Sequence, residues 1–386
     1  MKKFFGRYIG DRAFYRVVLH LLIPLVIQQG ITSFVNLLDN VMVGGLGTES
    51  ISAVAIVNQI IMVFNLAIFG GLSGASIFGA QFFGKGDHVG MRNTFRFKMI
   101  FCTLITLLGI GVFLLFGEEF IGMFLKGEKD PAMAALTLRE GVDYLHIMLW
   151  GLIPFMLVQA YAGTLRETGE TMAPMIGSVI AILVNLVLNY VLIFGHLGAP
   201  AMGVRGAALA TVISRVVEMI YVLAHAHLNI GKYHFLQKAY ASWHIPGKLI
   251  RRITVTGFPL LVNEILWSLG MTFINQSYSM CGVESLAAVN ITSTAWNLFC
   301  VIMFAMGNAV AIMVGQQLGA GNKEGARDVD RKLIFFSMVA HVIMGGLLIA
   351  CSGVIPLMYN IGDDMRRVTQ QLLVIAGASL PIHSYV

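Results

Sequence analysis

The strongest constraint on this chain is its series of uninterrupted apolar runs, each about 20 residues long. A run of that length is what an α-helix needs to cross the hydrocarbon core of a bilayer. Charged residues make up only 12% of the 386 residues, which is about half the share found in a soluble domain. A transmembrane β-barrel is disfavoured because its strands would alternate apolar and polar residues. The sequence therefore predicts an all-α polytopic membrane protein and excludes soluble enzymes and nucleic-acid-binding proteins.

The apolar runs and the loops between them predict both the spans and their orientation. About 19 of the 26 lysine and arginine residues lie in the N-terminal tail and in the alternate loops on its side. Because cytoplasmic loops carry an excess of these residues, we expect a cytoplasmic N-terminus and a multi-pass protein of the plasma (inner) membrane. Ten spans are expected, at residues 17–43, 51–80, 97–117, 139–162, 171–195, 205–227, 252–278, 286–315, 332–358 and 368–386.

An internal repeat divides the chain. When the sequence is aligned with itself at an offset of 235 residues, about 18 identities occur over about 69 positions. They include Pro24, Gly86, Gly90 and Arg92, which fall on Pro259, Gly321, Gly325 and Arg327. An even number of spans separates the two copies, so they share one orientation and are related by a pseudo-twofold axis along the membrane normal.

The repeat predicts two pseudo-symmetric six-helix lobes. We place the N-terminal lobe at 1–227, a cytoplasmic linker at 228–251 and the C-terminal lobe at 252–386. A complete second copy would reach about residue 470. We therefore expect that ten of twelve transmembrane helices are present here and that the last two are missing.

Ionisable residues inside the apolar runs are the first candidates for function, because a charge at a helix centre costs roughly 2.5–3.5 kcal/mol on insertion scales. Glu264 lies near the middle of the seventh span, and Asp39 lies in the outer third of the first. We interpret both as cation or proton sites facing a cavity. Arg215 and Glu218 are one helical turn apart in the sixth span, and we interpret them as a structural pair that neutralises itself.

Uncharged polar residues extend the same pattern. Asn185 and Asn189 are four residues apart in the fifth span and therefore occupy one face of that helix. Any single amide could instead join two helices, but the collective pattern favours a water-filled cavity lined by both lobes. The candidate cavity residues besides the two acids are Gln29, Asn36, Asn185, Asn189, Asn263, Asn275 and Asn290.

Prolines inside the spans are candidate hinges. Pro24 and Pro259 occupy equivalent mid-membrane positions in the two copies, and Pro154 lies in the fourth span. Bent helices around a midplane cavity are what alternating access requires.

No pattern typical of an enzyme is found. The chain has no glycine-rich phosphate loop ending in Lys-Ser or Lys-Thr, no HExxH and no GxSxG. Its four cysteines are scattered and are interpreted as packing residues. We therefore expect no catalytic residues and no cofactor.

Several segments resemble one family of transporters. The stretch Leu38-Asp39-Asn40-Val41-Met42-Val43-Gly44-Gly45-Leu46-Gly47 resembles the first helix and turn of multidrug and toxic compound extrusion (MATE) transporters. Residues 154–169 and 185–195 are similar to that family's fourth and fifth helices, and Gly203-Val204-Arg205-Gly206-Ala207-Ala208 is similar to the start of its sixth. The resemblance covers essentially the whole chain.

The resemblance implies export of small organic cations in exchange for inward H⁺ or Na⁺, by a protein that functions as a monomer in the bilayer. It assigns the N-lobe site to Asp39. Some members add an Asn and an Asp on the fifth helix, and the corresponding residues here are Asn185 and Asn189, so the second acid is absent. Other members use a glutamate on the seventh helix, which Glu264 resembles. Na⁺ near Glu264 is one candidate coupling ion, and H⁺ is the other.

Two alternative functions remain open at this stage. A lipid-linked oligosaccharide flippase of the same superfamily would share the fold, but its cavity would need several cations, and Arg215 is the only candidate. An ion channel is less favoured because the sequence has no short re-entrant segment and no repeated filter sequence.

Overall fold

The computed structural model describes residues 8–126, 130–280, 283–358 and 362–383. These ranges are dominated by α-helices joined by short turns, which confirms the predicted all-α class. In chain order the helices are α1 (Arg12–Gly44), α2 (Thr48–Lys85), α3 (His88–Leu125), α4 (Pro131–Glu167), α5 (Met172–Phe194), α6 (Gly203–Leu228), α7 (Gly247–Met280), α8 (Val283–Phe299), α9 (Val301–Gly319), α10 (Lys323–Cys351) and α11 (Asp363–His383).

The helices match the predicted spans in order, with one break. Eight helices in the described ranges are long and apolar enough to cross a membrane, namely α1 to α6, α9 and α10. The predicted span 286–315 is divided at Cys300 into α8 and α9, and α8 has only 17 residues. The predicted spans 252–278 and 368–386 correspond to the helices α7 and α11. These two are not among the eight helices that are long and apolar enough to cross a membrane.

The internal repeat is visible in the turns that open α3 and α10. Gly86 and Gly321 both have left-handed backbone angles, with φ of 73° and 77°, a conformation that glycine adopts without steric strain. The next residue then caps the following helix. Asp87 accepts a hydrogen bond from the Gly90 amide at 2.8 Å, and Asn322 accepts one from the Gly325 amide at 2.8 Å. Two sequences related by the 235-residue offset therefore form the same turn and cap.

The chain clusters into two compact units. We call Met1–Gly30 with Val262–Val386 the first unit, and Ile31–Leu261 the second unit. Both α1 and α7 belong partly to each unit, because α1 changes unit after Gly30 and α7 changes after Leu261. The lobe boundaries inferred from the repeat remain a prediction.

The first halves of α1 and α7 pack in equivalent ways within their units. In the second unit α7 crosses α2 so closely that a Cβ atom added to Gly74 would lie 2.5 Å from the Gly257 Cα. Ile253 of α7 is buried in the neighbouring apolar cluster. In the first unit, Val18 and Leu22 of α1 are buried with residues of α9. Val18 and Leu22 are the repeat equivalents of Ile253 and Gly257.

The predicted linker is a packed segment and not an extended loop. The buried Arg96 side chain of α3 donates hydrogen bonds to the carbonyl oxygens of Ala239 and Lys238, both at 2.8 Å, and to that of His244 at 3.4 Å. Phe235 and Leu236 of the same segment are buried among apolar residues of α3 and α4. The linker is therefore fixed to the ends of helices in the second unit. By the predicted orientation, these are the cytoplasmic ends.

An ion pair anchors the start of the linker to the turn before α5. Lys232 Nζ donates to Glu170 Oε2 at 2.6 Å, and the Tyr233 hydroxyl donates to the same oxygen at 3.1 Å. Burial raises the pKa of Glu170, but the hydrogen bonds and the positive charge of Lys232 outweigh it, so the pKa lies below its ordinary value. The carboxylate is thus held in its charged form at neutral pH.

A second ion pair lies fully inside the second unit. Lys98 of α3 donates to Glu167 at the end of α4, and the two side chains are only 1% and 4% exposed. Lys98 Nζ also lies 3.2 Å from the Thr164 hydroxyl. The sequence placed Lys98 near a loop and gave no indication of this pair, because Glu167 is 69 positions away in the chain.

The predicted orientation can be tested on the linker. In a cysteine-free background, we expect that Lys238→Cys will not react with an impermeant maleimide in intact cells, because the linker is cytoplasmic. The matched control is Leu197→Cys in the loop between α5 and α6, whose side chain is 88% exposed and which should react. Both positions should react after lysis. Labelling of position 238 alone in intact cells would show that the topology is inverted.

The buried pair predicts a distinctive pattern of stabilities. Replacing Lys98 by Met removes the counter-ion of the buried Glu167 carboxylate, which should lower the free energy of unfolding by about 3–5 kcal/mol. The double variant Lys98→Met/Glu167→Gln removes that charge and should recover most of the loss. Lys85→Met, at an exposed position, is the control. We would measure thermal unfolding in detergent, and equal losses in the single and double variants would contradict the prediction.

Candidate functional site

The candidate site in the second unit is built from three helices. Asp39 lies near the end of α1, where its side chain is half-buried, and Asn185 and Asn189 lie on α5. Both asparagines are buried, with exposures of 6% and 2%. Their spacing of four residues places both amides on one face of α5, and the structure turns that face toward Asp39.

Hydrogen bonds join these side chains into one network. Asn189 Nδ2 donates to Asp39 Oδ1 at 2.7 Å and to Asn185 Oδ1 at 3.2 Å. Asn185 Nδ2 lies 3.3 Å from the Thr211 hydroxyl of α6. With its amide turned over, Asn185 instead donates to Asp39, at 3.0 Å from Oδ1 and 3.2 Å from Oδ2. We call these four residues the Asp39 cluster.

Within the Asp39 cluster, the Asp39 side chain can be an ionised carboxylate or a carboxylate neutralised by a proton or a cation. An ionised carboxylate only accepts hydrogen bonds, and the neighbouring amides supply donors that suit it. An isolated charge is expensive inside a protein that lies in lipid. A bound cation or proton would remove that charge, and this makes the cluster a candidate cation site.

The charged residues predicted to pair on α6 lie within electrostatic reach of each other but are not in direct contact. No ion pair between Arg215 and Glu218 is found among the described residues. Glu218 Oε1 accepts from the Ser178 hydroxyl of α5 at 2.5 Å. The Arg215 guanidinium lies over the Phe155 ring, 4.9 Å from its centroid. Contacts with side chains of α4 and α5 therefore take the place of a direct ion pair between these two residues.

The second predicted acid lies apart from this cluster. Glu264 of α7 belongs to the first unit, where its side chain is half-buried, and Asn263 beside it is exposed. The side chains of Asn36, Asn275 and Asn290 lie outside the described residues. No hydrogen bond to Glu264 is found among the described side chains, so its role stays a prediction.

The remaining sequence candidates fall along the same helices. Gln29 is exposed and lies ten residues before Asp39 on α1, about 15 Å away along the helix axis, so the structure does not bring the two together. Pro24, Pro154 and Pro259 lie inside α1, α4 and α7, and each helix continues through its proline. In the described ranges no group of three or more His, Cys, Asp or Glu residues could hold a metal ion.

Two polar residues of the site were not singled out from the sequence. Tyr144 of α4 is buried and lies within electrostatic reach of both Asp39 and Arg215. Thr211 contacts Asn185 from α6. Thr211 and Arg215 are four residues apart, and this spacing could have indicated a shared face of α6. No signal in the sequence marks Tyr144.

The chain matches one protein family over most of its length. The family model described as MatE matches residues 24–191 and 259–386. The two matched segments begin 235 residues apart, which is the offset of the internal repeat. Each copy therefore carries its own match.

Relatives of similar sequence are named as drug-resistance proteins. The probable multidrug resistance protein NorM of Thermotoga maritima is 25% identical over 332 residues, which cover 85% of this chain and 68% of the relative. The multidrug resistance protein MdtK of Edwardsiella ictaluri is 25% identical over 355 residues, which cover 92% of this chain and 75% of the relative.

Solved structures share the fold. A crystal structure of a MATE protein in the bent conformation superimposes with a TM-score of 0.80 at 21% identity, covering 97% of this chain and 82% of that one. A mutant of the MATE transporter VcmN from Vibrio cholerae gives 0.79 at 18% identity, covering 96% and 81%. Both are similar to this chain in architecture.

Proposed function

We propose that this chain, which belongs to the MatE family, is a secondary antiporter that exports organic cations in exchange for inward H⁺ or Na⁺. The observation that carries the proposal is the Asp39 cluster. One carboxylate is held by amides of α5 inside a multi-pass membrane protein. The names of the relatives as multidrug resistance proteins support an organic substrate.

A single interior carboxylate accounts for exchange in physical terms. The protein must neutralise that charge whenever the site is closed to water, because an unpaired charge in a low-dielectric interior is strongly unfavourable. Either the substrate cation or the coupling ion can supply the neutralising charge. Since both compete for Asp39, arrival of the coupling ion releases the substrate, and the return step requires one of the two.

Conformational change is proposed to use the prolines of α1 and α7. Pro24 lies six residues before the point where α1 changes unit, and Pro259 lies two residues before the last α7 residue of the second unit. A proline removes one helical hydrogen bond and permits bending there. We propose that Pro24, Pro259 and Pro154 are hinges for alternating access, with the N-terminus cytoplasmic and the protein acting as a monomer.

Glu264 is proposed as a second coupling site. It is an acid inside an apolar helix, and it belongs to a different unit from Asp39. The repeat aligns Glu264 with Gln29 and Asp39 with Ile274, so the two acids are not copies of one site. Na⁺ near Glu264 and a proton on its carboxylate are the two forms that this site can take.

The proposal predicts that Asp39→Asn abolishes exchange. The variant keeps the shape of the side chain but loses the charge that attracts the cation, so gradient-driven export should fall by more than about tenfold. Export of a fluorescent monovalent cation is measured in proteoliposomes under a pH gradient and then under a Na⁺ gradient.

Asp87→Asn is the matched control for Asp39→Asn. Asn322, the repeat equivalent of Asp87, caps its helix in the same way, so this control should fold and export normally. Wild-type export by Asp39→Asn under both gradients would show that Asp39 is an interfacial residue without a coupling role.

A further inference from the structure

A fully buried histidine lies inside the membrane-spanning helix α10 of the first unit. His341 is 0% exposed. From residue 333 onward, the buried residues of α10 follow each other at intervals of three or four positions, which places them on one face of the helix. His341 therefore faces the interior of the first unit. An ionisable residue inside a membrane span that faces protein is a candidate functional site. The residues of this face are Leu333, Ser337, His341, Gly345 and Leu348.

The contacts of His341 define which ring nitrogen carries the hydrogen. Nδ1 lies 2.7 Å from the Ser337 carbonyl oxygen and 3.3 Å from the Ser337 hydroxyl. Because a carbonyl oxygen can only accept, Nδ1 carries the hydrogen of the neutral ring and Nε2 is an acceptor. Nε2 is inaccessible to solvent and has no hydrogen-bond partner among the described residues. Buried polar atoms almost always have a partner, so this acceptor calls for an explanation.

The internal repeat shows that this position is polar in both copies. Helices α3 and α10 begin at equivalent residues, and equivalent positions such as Cys102 and Ser337 are buried in both. The 235-residue offset places His341 on Thr106, whose hydroxyl is also buried without a partner among the described residues. Only the second copy has a group there that can take up a proton. The two copies therefore differ in acid–base chemistry at one shared position.

The helix α11 packs tightly against α10 one turn beyond His341. A Cβ atom added to Gly345 would lie 2.3 Å from the Gly377 carbonyl oxygen, so the two backbones are nearly in contact. The two helices run in opposite directions, and the ionisable residue of α11 on the His341 side of this crossing is His383. It is exposed, and its ring lies against that of Trp296.

No other element brings a charged group to His341 in the part of the chain that the structure describes. The helix α9 has no ionisable side chain. Cys300 lies buried between α8 and α9 near Leu348, and the side chain of Glu284 on α8 lies outside the described residues. The helix α1 packs two turns earlier, at Leu333. On α10 the nearest charged residue is Lys332, nine positions before His341.

Protonation of His341 is unfavourable in the arrangement described here. The second N–H of an imidazolium would need an acceptor, and an unpaired buried charge costs free energy. A protonated ring is stable only where water or an acceptor reaches Nε2, which requires that the helices around it move. The neutral and protonated forms therefore favour different packings, and a proton shifts the population toward the one that it binds better.

We propose that His341 is a proton-binding site that links pH to the packing of α10 against α11. The neutral ring favours the close crossing at Gly345 and Gly377, and protonation favours an arrangement in which the two helices separate and water reaches Nε2. Histidine is the side chain that most readily changes charge between pH 5 and 8. The proton selects the arrangement and is not carried with the exported cation, so this inference goes beyond the proposed function.

The competing explanation is that His341 is a packing residue fixed by its hydrogen bond to Ser337. It makes a different prediction about the distance between α10 and α11. A packing residue leaves that distance independent of pH, whereas the proton site makes it longer at low pH.

The test measures this distance in the full chain. Spin labels are attached in a cysteine-free background at Leu347→Cys on α10 and Ile375→Cys on α11, whose side chains are 49% and 65% exposed. Distances are recorded by pulsed electron paramagnetic resonance in lipid nanodiscs, on samples frozen at pH 8 and at pH 5.5. We expect the share of a longer distance to rise at least about threefold on acidification, since one titrating group shifts an equilibrium by at most about tenfold per pH unit.

Variants then assign the response to His341. His341→Asn keeps an N–H donor for the Ser337 carbonyl but cannot be protonated. His341→Thr introduces the residue that the first copy has at this buried position, Thr106. Both variants should give the short distance at both pH values. His383→Asn, which replaces the exposed histidine of α11, is the matched control and should respond like the wild type.

The outcomes separate the inference from the proposed function. Equal distances in the wild type at both pH values would overturn the proton site, and so would a full response in either His341 variant. If one variant does not fold, the other assigns the response. A protein that shows the response but exports no cation under any gradient would overturn the antiporter proposal and leave the proton site in place.

Discussion

The sharing of α1 and α7 between the two compact units is the constraint on which the rest of the structure depends. Each of the two helices is continuous from one unit into the other. Val18 is buried in the first unit and Asp39 lies in the second, on one continuous helix. One continuous helix therefore carries both a buried residue of the first unit and the acid of the second unit.

Much of the fold and part of the site could be predicted from the sequence, because both depend on regular spacing. Apolar runs of membrane length fixed the order of the helices, and the 235-residue offset anticipated the matching caps at Asp87 and Asn322. The spacing of Asn185 and Asn189 placed both amides on one face of α5. Asp39 was marked by the rarity of acids in apolar spans.

The features that sequence reasoning missed are decided by contacts between distant residues. Arg215 and Glu218 have the spacing of a helical pair, but their side chains make their direct contacts with Phe155 and Ser178 of other helices. Arg96 fixes the linker through backbone carbonyl oxygens, which carry no side-chain signature. The contact between Arg96 and the linker could therefore be identified only from the folded structure.

The central claim is that two unlike acids, Asp39 and Glu264, both take part in exchange. Moving one elementary charge against the membrane potential requires about 2.3 kcal/mol per 100 mV. Two coupling ions per exported monovalent cation would therefore carry one net positive charge inward, whereas one ion would give electroneutral exchange. The most direct measurement is the net charge moved per exported cation in proteoliposomes. The account predicts one charge for the wild type and none for Glu264→Gln, and electroneutral exchange by the wild-type protein would contradict it.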